Sequence, residues 1–187
     1  MIDHLISQYG ERQVAYIYCD YQDQKNQTVI HILGSFLKQF LSNTIYAVPE
    51  TVISGLEDIQ KKGKKIEKSD AIQMLTSVVS QLDVCFLCID ALDELEPRVR
   101  LELLKLLQSG FGAAGIFLTG RQHIQPEVDR ALQTKFEDAV HVTANQEDIK
   151  VYLSHEIEVD MESNPDEMNE SLREEILKAI LSKADGM

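Results

Sequence analysis

An apolar segment runs directly into three acidic residues in Val84-Cys85-Phe86-Leu87-Cys88-Ile89-Asp90-Ala91-Leu92-Asp93-Glu94. A near-continuous apolar run of this kind is typical of a strand inside a parallel sheet that is covered on both faces. Ligands of such sheets bind at the carboxyl ends of the strands. Because Asp90, Asp93 and Glu94 follow that end, the stretch predicts a site for a metal ion and phosphate groups at one edge of a parallel sheet.

The rest of the chain alternates between strand and helix patterns. Short apolar runs predict further strands at residues 14–19, 115–119 and 139–142. Apolar residues at helical spacing predict helices over residues 29–40, 49–60, 72–82, 97–110, 145–158 and 172–180. Strands separated by helices predict parallel strands joined by right-handed crossovers, which is an α/β doubly wound domain with helices on both faces. The acidic segment 156–175, which contains Asn164-Pro165, indicates the start of a helical subdomain with Leu172, Ile176, Leu177 and Ile180 facing inward.

Composition limits the classes of partner. The 187 residues contain 18 Lys and Arg against 31 Asp and Glu, a net charge of −13, which argues against binding to the phosphates of nucleic acid. No apolar run approaches the roughly 18–20 residues of a membrane span, and the first residues do not resemble a signal peptide. We therefore expect a cytoplasmic protein that binds neither nucleic acid nor a membrane.

The cysteines and histidines do not predict a metal centre. Three cysteines do not make a secreted disulfide framework. Cys85 and Cys88 have the spacing of a redox or zinc pair, but residues three apart on a strand point to opposite faces of the sheet, so we interpret them as small buried hydrophobic residues. The five histidines are scattered, and none has zinc-ligand spacing.

The acidic residues suit phosphoryl transfer, in which a protein positions phosphates, screens their charge with magnesium and orients a water. Asp90, at the strand tip, is the expected magnesium ligand. Asp93 and Glu94 are within plausible reach of the attacking water and are the expected catalytic residues. A second apolar strand ends in Thr119-Gly120-Arg121, so Arg121 is expected to sense or neutralise the terminal phosphate.

A structural explanation of the same residues stays open. Acids that follow a strand and precede a helix starting at Pro97 are also what ordinary helix capping produces. What favours a phosphate site is the combination, because Thr119 to Arg121 lies at the end of an independent strand, where a phosphate sensor would be needed.

Residues 85–94 resemble the extended Walker B motif of NACHT-type (STAND-class) signal-transduction NTPases: four apolar residues, Asp, a small residue, an apolar residue, Asp and Glu. Asp90 matches the magnesium position, and Asp93 and Glu94 match the acidic pair. Residues 117–121 are similar to the sensor 1 motif, usually Thr-Ser-Arg, in which Thr119 and Arg121 match and Gly120 departs.

The resemblance extends over nearly the whole chain. Residues 18–24 are similar to the segment after the second strand of fungal and nephrocystin-type members, and residues 184–187 resemble the start of their next conserved block. The resemblance implies a P-loop NTPase-like (ASCE-type) domain over residues 1–144, followed by the start of a helical lid at residues 145–187. It also implies Mg²⁺ and ATP or GTP as cofactors.

The phosphate-binding loop (Walker A) is absent from the sequence. No Gly-x-x-x-x-Gly-Lys-Ser/Thr occurs, and Gly63-Lys64-Lys65 lacks both the earlier glycine and the hydroxyl residue. In the family the loop's helix runs into residues that resemble Ile2 to Ile6, and the implied sheet order is 5-1-4-3-2. We therefore hypothesise that the chain is an N-terminally truncated fragment without the first strand, which would have lain between residues 115–119 and 139–142.

Two functions follow as expectations. The first is a fragment of a nucleotide switch that binds and slowly hydrolyses ATP or GTP to control oligomerisation, with this chain alone not hydrolysing. The alternative is a non-catalytic remnant that acts as an acidic protein-interaction module. The expected partners are a nucleotide in the full-length parent, and protein partners or further copies of the chain.

Overall fold

The computed structural model describes residues 1–42, 48–111, 114–133, 139–142, 145–163 and 169–184. The chain is α/β, with a three-stranded parallel sheet flanked by helices. The strands are β1 (Val14–Tyr18), β2 (Cys85–Asp90) and β3 (Ala114–Leu118). The helices are α1 (Ile2–Tyr9), α2 (Val29–Ser42), α3 (Glu50–Lys61), α4 (Lys68–Val79), α5 (Pro97–Gly110), α6 (Gln125–Leu132), α7 (Gln146–Ser163) and α8 (Glu170–Ala184).

The strand order is β1-β2-β3, with β2 in the centre. Both pairings are parallel: Tyr18 lies opposite Asp90 in the first, and Ile89 lies opposite Leu118 in the second. The most buried strand is therefore the one that is hydrogen-bonded on both sides. The order agrees with the one that the family resemblance implies for these three strands, and all three carboxyl ends meet at the same edge of the sheet.

The main core lies between one face of the sheet and three helices. Cys85, Leu87 and Ile89 of β2 belong to it, and their burial follows from the period of two along a strand. The helices contribute apolar stripes at helical spacing, which are Val29, Ile32, Leu33, Phe36, Leu37 and Phe40 of α2, Ala71, Met74, Leu75, Val78 and Val79 of α4, and Leu103, Leu104 and Leu107 of α5. Each fully buried Leu, Ile or Phe contributes about 1.5–3 kcal/mol.

Cys88 is buried but lies outside this core, as expected for a residue on the opposite face of β2. On that face Phe86 contacts Tyr9 of α1, with ring centroids 4.9 Å apart. The prediction that Cys85 and Cys88 are buried, free thiols on opposite faces agrees with the structure.

The outer edge of β1 is closed by two glutamine side chains. The amide of Gln39 accepts from the Tyr16 N–H at 3.0 Å and donates to the Tyr16 carbonyl at 2.8 Å. The amide of Gln27 accepts from the Asp20 N–H at 3.0 Å and donates to the Tyr18 carbonyl at 3.2 Å. Both side chains imitate a neighbouring strand, so backbone groups that would otherwise recruit another chain are satisfied.

Three sequence expectations differ from the structure. Residues 139–142 do not form a strand, and Val140 and Val142 are each 88% exposed, because a short apolar run is not stable as a strand unless it pairs. Val84 is 39% exposed and precedes β2. Leu172 and Ile180 are exposed rather than inward, because the packing of α8 against α7 leaves these two side chains uncovered.

The backbone divides into two compact units, Met1–Phe136 and Glu137–Met187. The boundary expected at residues 144/145, and the identity of the second unit as a lid, stay predictions. Asn164-Pro165 and residues 185–187 lie outside the described residues. Among the helices that are described, none has the length and apolar character needed to cross a bilayer.

Candidate functional site

The carboxyl edge of the sheet brings the predicted site residues together. Asp90 is the last residue of β2, and Thr119 follows β3 directly. Hydrogen bonds continue beyond the strands, since the Thr119 N–H donates to the Ile89 carbonyl at 3.0 Å and the Leu92 N–H donates to the Thr119 carbonyl at 2.9 Å. The loops after β2 and β3 therefore leave the sheet as a bonded pair.

Asp90 and Thr119 form the centre of this edge. The Thr119 hydroxyl donates to Asp90 Oδ1 at 2.5 Å and accepts from the Ala91 N–H at 2.9 Å. The half-buried carboxylate of Asp90 is thereby held in one orientation by a side chain from the neighbouring strand. The predicted magnesium ligand and the predicted sensor threonine are direct partners.

The turn after Asp90 has an unusual backbone. Ala91 has φ 54° and ψ 46°, a left-handed conformation that costs a residue with a side chain about 1–2 kcal/mol. The conformation turns the chain into a short 3-10 helix, Leu92–Glu94, which carries the two remaining acids. Strain of this kind collects at functional sites, where the surrounding structure enforces it.

Asp93 points inward and is paired with Arg121. Its side chain is only 6% exposed, whereas the Arg121 side chain is 76% exposed. Asp93 Oδ1 accepts from the Arg121 backbone N–H at 3.1 Å, and Arg121 Nε lies 3.5 Å from Asp93 Oδ2. One oxygen of Asp93 thus positions the loop after β3, and the other faces the arginine side chain.

Glu94 connects this edge to the loop after β1. Its Oε2 accepts from the Tyr21 N–H at 3.1 Å, and its carbonyl accepts from the Gln24 side chain at 2.7 Å. In the same loop, Asp20 accepts from the Gln22 N–H at 2.8 Å and caps a short 3-10 helix. All three strand-end loops are therefore tied together through acidic residues.

Arg100 is a site residue that the sequence analysis missed. It is only 7% exposed and donates to the carbonyls of Asp93 at 3.3 Å and Leu95 at 3.2 Å. Its Nε and Nη2 donate to Glu127 Oε2 of α6 at 3.1 and 2.9 Å. A signal was available, because Arg100 occupies the same helical stripe as Leu103, Leu104 and Leu107, and a charge on an inward stripe needs partners.

Cys19 lies behind the acids. Burial, and then the charges of Asp90, Glu94 and Asp93, raise the pKa of the Cys19 thiol to about 12. The thiol is therefore neutral at physiological pH and behaves as a small buried side chain rather than a nucleophile.

Gly120 leaves little room for a side chain. A Cβ at this position would lie 2.8 Å from Ile124 Cδ1 and 3.5 Å from Asp93 Oδ1. The serine usual in the resembled motif would therefore require Ile124 to change its side-chain conformation. The glycine in place of serine at position 120 is therefore consistent with the close packing of Ile124 against it.

The acids alone do not make a complete metal site. In the described part of the chain, no three His, Cys, Asp or Glu side chains converge so as to hold a metal ion. Magnesium in phosphate-binding sites uses one or two carboxylates and takes its other ligands from phosphates and water. Asp90, a single oriented carboxylate at a strand end, fits a magnesium ion of that kind.

A separate cavity of about 470 Å³ lies between α3 and α4. Its charged residues are balanced, with three lysines, Lys62, Lys64 and Lys65, and three acids, Asp58, Glu67 and Asp70. Gly63-Lys64-Lys65 follows a helix rather than a strand. This cavity therefore does not have the positive surplus or the backbone setting of a phosphate-binding loop.

The chain was compared with models of known protein families. The model described as Nephrocystin 3, N-terminal, matches residues 1–121. That segment contains the whole sheet and ends at Arg121, so it includes every strand-end residue described above. No curated protein and no solved structure matches the chain.

Proposed function

The chain belongs to the nephrocystin 3 N-terminal family, and from that premise we propose that its strand-end site is the magnesium- and phosphate-binding half of a NACHT-type nucleotide switch. The observation that carries the proposal is the Thr119–Asp90 hydrogen bond beside the exposed Arg121. An oriented carboxylate, a hydroxyl and a cation at adjacent strand ends are the groups that a magnesium-bound polyphosphate needs.

Each residue has a distinct part in this proposal. Asp90 holds magnesium, which when bound screens the negative charge of the phosphates. Thr119 fixes the orientation of Asp90 and senses the occupant of the site through that bond. Arg121, whose side chain is 76% exposed, neutralises the terminal phosphate. Of the acidic pair, Glu94 is the better placed to orient a water, because the Asp93 side chain is 6% exposed and both of its oxygens contact Arg121.

The topology supports the same proposal. Because Gln27 and Gln39 close the outer edge of β1, the sheet can gain a strand only beside β3. β3 is also the more open strand, with Gly115 exposed and its other residues only half-buried. A strand added there would deliver a phosphate-binding loop next to Thr119 and Arg121, on the side that the family resemblance assigns to it.

The 187 residues contain no such loop, so we propose that this chain alone binds magnesium nucleotide weakly and does not turn it over. In a parent protein with the loop, ATP or GTP binding would order the domain and permit oligomerisation, and hydrolysis would reset it. ATP and GTP are equally compatible with the strand-end residues.

A second candidate is a non-catalytic protein-interaction module. It is favoured by the internal use of the acids, since Asp93 is paired with Arg121 and Glu94 with the Tyr21 N–H. In that case the carboxylates would serve only to tie the loops together on an acidic scaffold.

Thermal unfolding with and without magnesium nucleotide distinguishes the two. A ligand that binds only the folded state stabilises it, by about 2.7 kcal/mol at one hundred times its dissociation constant. We expect millimolar magnesium ATP or GTP to raise the melting temperature of the wild type, and Asp90→Asn to remove the shift. Asp83→Asn, at an exposed position before β2, is the charge-matched control and should keep it. Absence of any shift, or its persistence in Asp90→Asn, would overturn the nucleotide proposal and favour the interaction module.

A further inference from the structure

Asp93 and Arg121 differ in their freedom to move. The Asp93 side chain is 6% exposed, and its backbone is held as well, because Arg100 donates to its carbonyl. Arg100 is anchored in turn by two hydrogen bonds to Glu127. The Arg121 side chain, in contrast, is 76% exposed. Of the two partners, only the arginine side chain can leave the contact without disrupting buried structure.

The two oxygens of Asp93 make different kinds of contact. The bond from the Arg121 backbone N–H to Oδ1 is short enough to be structural, at 3.1 Å. The contact between Arg121 Nε and Oδ2 is longer, at 3.5 Å, and its arginine is exposed to water. The 3.5 Å separation and the exposure of the arginine to water weaken this ion pair, so the side-chain contact can be broken while the backbone bond persists.

We propose that Asp93 is a positioning residue that holds the Arg121 side chain when no ligand is bound. A polyphosphate must then compete with the Asp93 carboxylate for the arginine. Asp93 then acts as a built-in competitor of the phosphate rather than as a base for water. It sets how strongly the site responds to a terminal phosphate. The identity of the ligand rests on the proposed function, whereas the contact between the Asp93 and Arg121 side chains rests only on the geometry.

The rest of the site is consistent with a competition of this kind. The backbone of Arg121 stays bonded to Asp93 Oδ1 when the side chain leaves, so the arginine swings from a fixed point. Thr119 is bonded to Asp90 and does not depend on the same contact. Losing the Asp93 charge should therefore free the arginine without disturbing Asp90.

Asp93→Asn tests the proposal, because asparagine keeps an Oδ1 acceptor for the Arg121 N–H but loses the charge that attracts the side chain. Asp83→Asn changes the net charge equally at an exposed position and is the control. The first measurement is hydrogen exchange of the Arg121 Nε–H by ¹⁵N NMR, with the signal assigned through Arg121→Gln. We expect exchange to be about threefold faster or more in Asp93→Asn and unchanged in Asp83→Asn.

The second measurement is the affinity for tripolyphosphate with magnesium. We expect Asp93→Asn to bind about three- to tenfold more tightly than the wild type, and Arg121→Gln to bind more weakly. Weaker binding by Asp93→Asn would overturn the inference, since it would make Asp93 a direct ligand.

The exchange measurement needs no ligand. Unchanged exchange of the Arg121 Nε–H in Asp93→Asn would overturn the inference even if nucleotide binds. If the Arg121 Nε–H exchanges faster in Asp93→Asn but no variant binds polyphosphate, the contact between the Asp93 and Arg121 side chains is supported and the proposed function is overturned.

Discussion

Replacement of Arg100 by methionine should be among the most destabilising single changes outside the apolar core. Arg100 is 7% exposed, and its guanidinium donates to the carbonyls of Asp93 and Leu95 in the turn after β2 and twice to Glu127. Methionine fills a similar volume but donates nothing. The change leaves the carbonyls of Asp93 and Leu95 without their donor and Glu127 without its counter-ion.

The expected magnitude follows from the burial of each partner. Removing one member of a fully buried ion pair costs about 3–5 kcal/mol. The Glu127 side chain is 29% exposed and can regain water, so we expect a loss of about 2–4 kcal/mol instead. This is a large part of the roughly 5–15 kcal/mol that stabilises a typical domain.

Urea denaturation followed by far-UV circular dichroism measures the loss. Arg98→Met, on an exposed position of the same helix, is the matched control and should change the free energy of unfolding by less than about 0.5 kcal/mol. Arg100→Lys should fall between, because one ammonium group cannot replace the planar fork of donors. Glu127→Met should show coupling to Arg100→Met in a double-mutant cycle.

Two results would refute the reasoning. If Arg100→Met and Arg98→Met lower the free energy of unfolding equally, the buried hydrogen bonds do not stabilise the turn. If the effects of Arg100→Met and Glu127→Met simply add, the two side chains do not act as a pair.

Three further predictions concern the sheet edge, the turn and a thiol. Gln39→Ala should lower the free energy of unfolding by about 1–2 kcal/mol in urea denaturation and increase aggregation in light scattering. An equal effect of Lys38→Ala, on the same helix, would contradict the edge-closing role of Gln39. Gly120→Ser should lower the free energy of unfolding by less than about 1.5 kcal/mol in a thermal melt, because the new Cβ meets only the end of the Ile124 side chain. Ile124→Val, added to Gly120→Ser, should recover the loss. Cys19 should resist iodoacetamide at pH 8 until the protein unfolds, as followed by mass spectrometry, because its pKa is raised to about 12. The raised pKa of Cys19 gives stability that is complete below the ordinary thiol pKa of 9.0 and is lost as pH rises towards 12. Cys19→Ala should therefore reduce the loss of stability at alkaline pH, as measured by urea denaturation.

Much of the site was accessible from sequence because its residues follow strands directly. Asp90 and Thr119 had to meet once β2 and β3 were parallel neighbours, since adjacent parallel strands bring their carboxyl ends to one edge. The position of Arg121 at this edge could be predicted for the same reason, because Arg121 lies two residues after Thr119. The pairing of Asp93 with Arg121 was not accessible, because the direction of a side chain after a turn depends on local backbone angles such as those of Ala91.

Two errors have a common origin. Residues 139–142 have the composition of a strand, and Leu172 and Ile180 have the spacing of an inward helical face. Val140, Val142, Leu172 and Ile180 are nevertheless exposed. Both expectations treated a local pattern as sufficient. A strand also needs a partner with free backbone groups, and an apolar stripe needs a surface to cover it.

Patterns within the sequence are enough to predict the parallel α/β arrangement and the position of Asp90 and Thr119 at the carboxyl edge of the sheet. Hydrophobic period and strand-helix alternation are local properties, and they specify which face of each element is buried. The packing of the whole domain is needed to show that Arg100 is buried against the turn after β2, that Gln27 and Gln39 close the edge of β1, and that Asp93 contacts Arg121. The contacts of Gln39 with Tyr16, Arg100 with Glu127 and Asp93 with Arg121 join residues 23–28 positions apart. Each depends on where two elements place a polar group once the apolar core has packed.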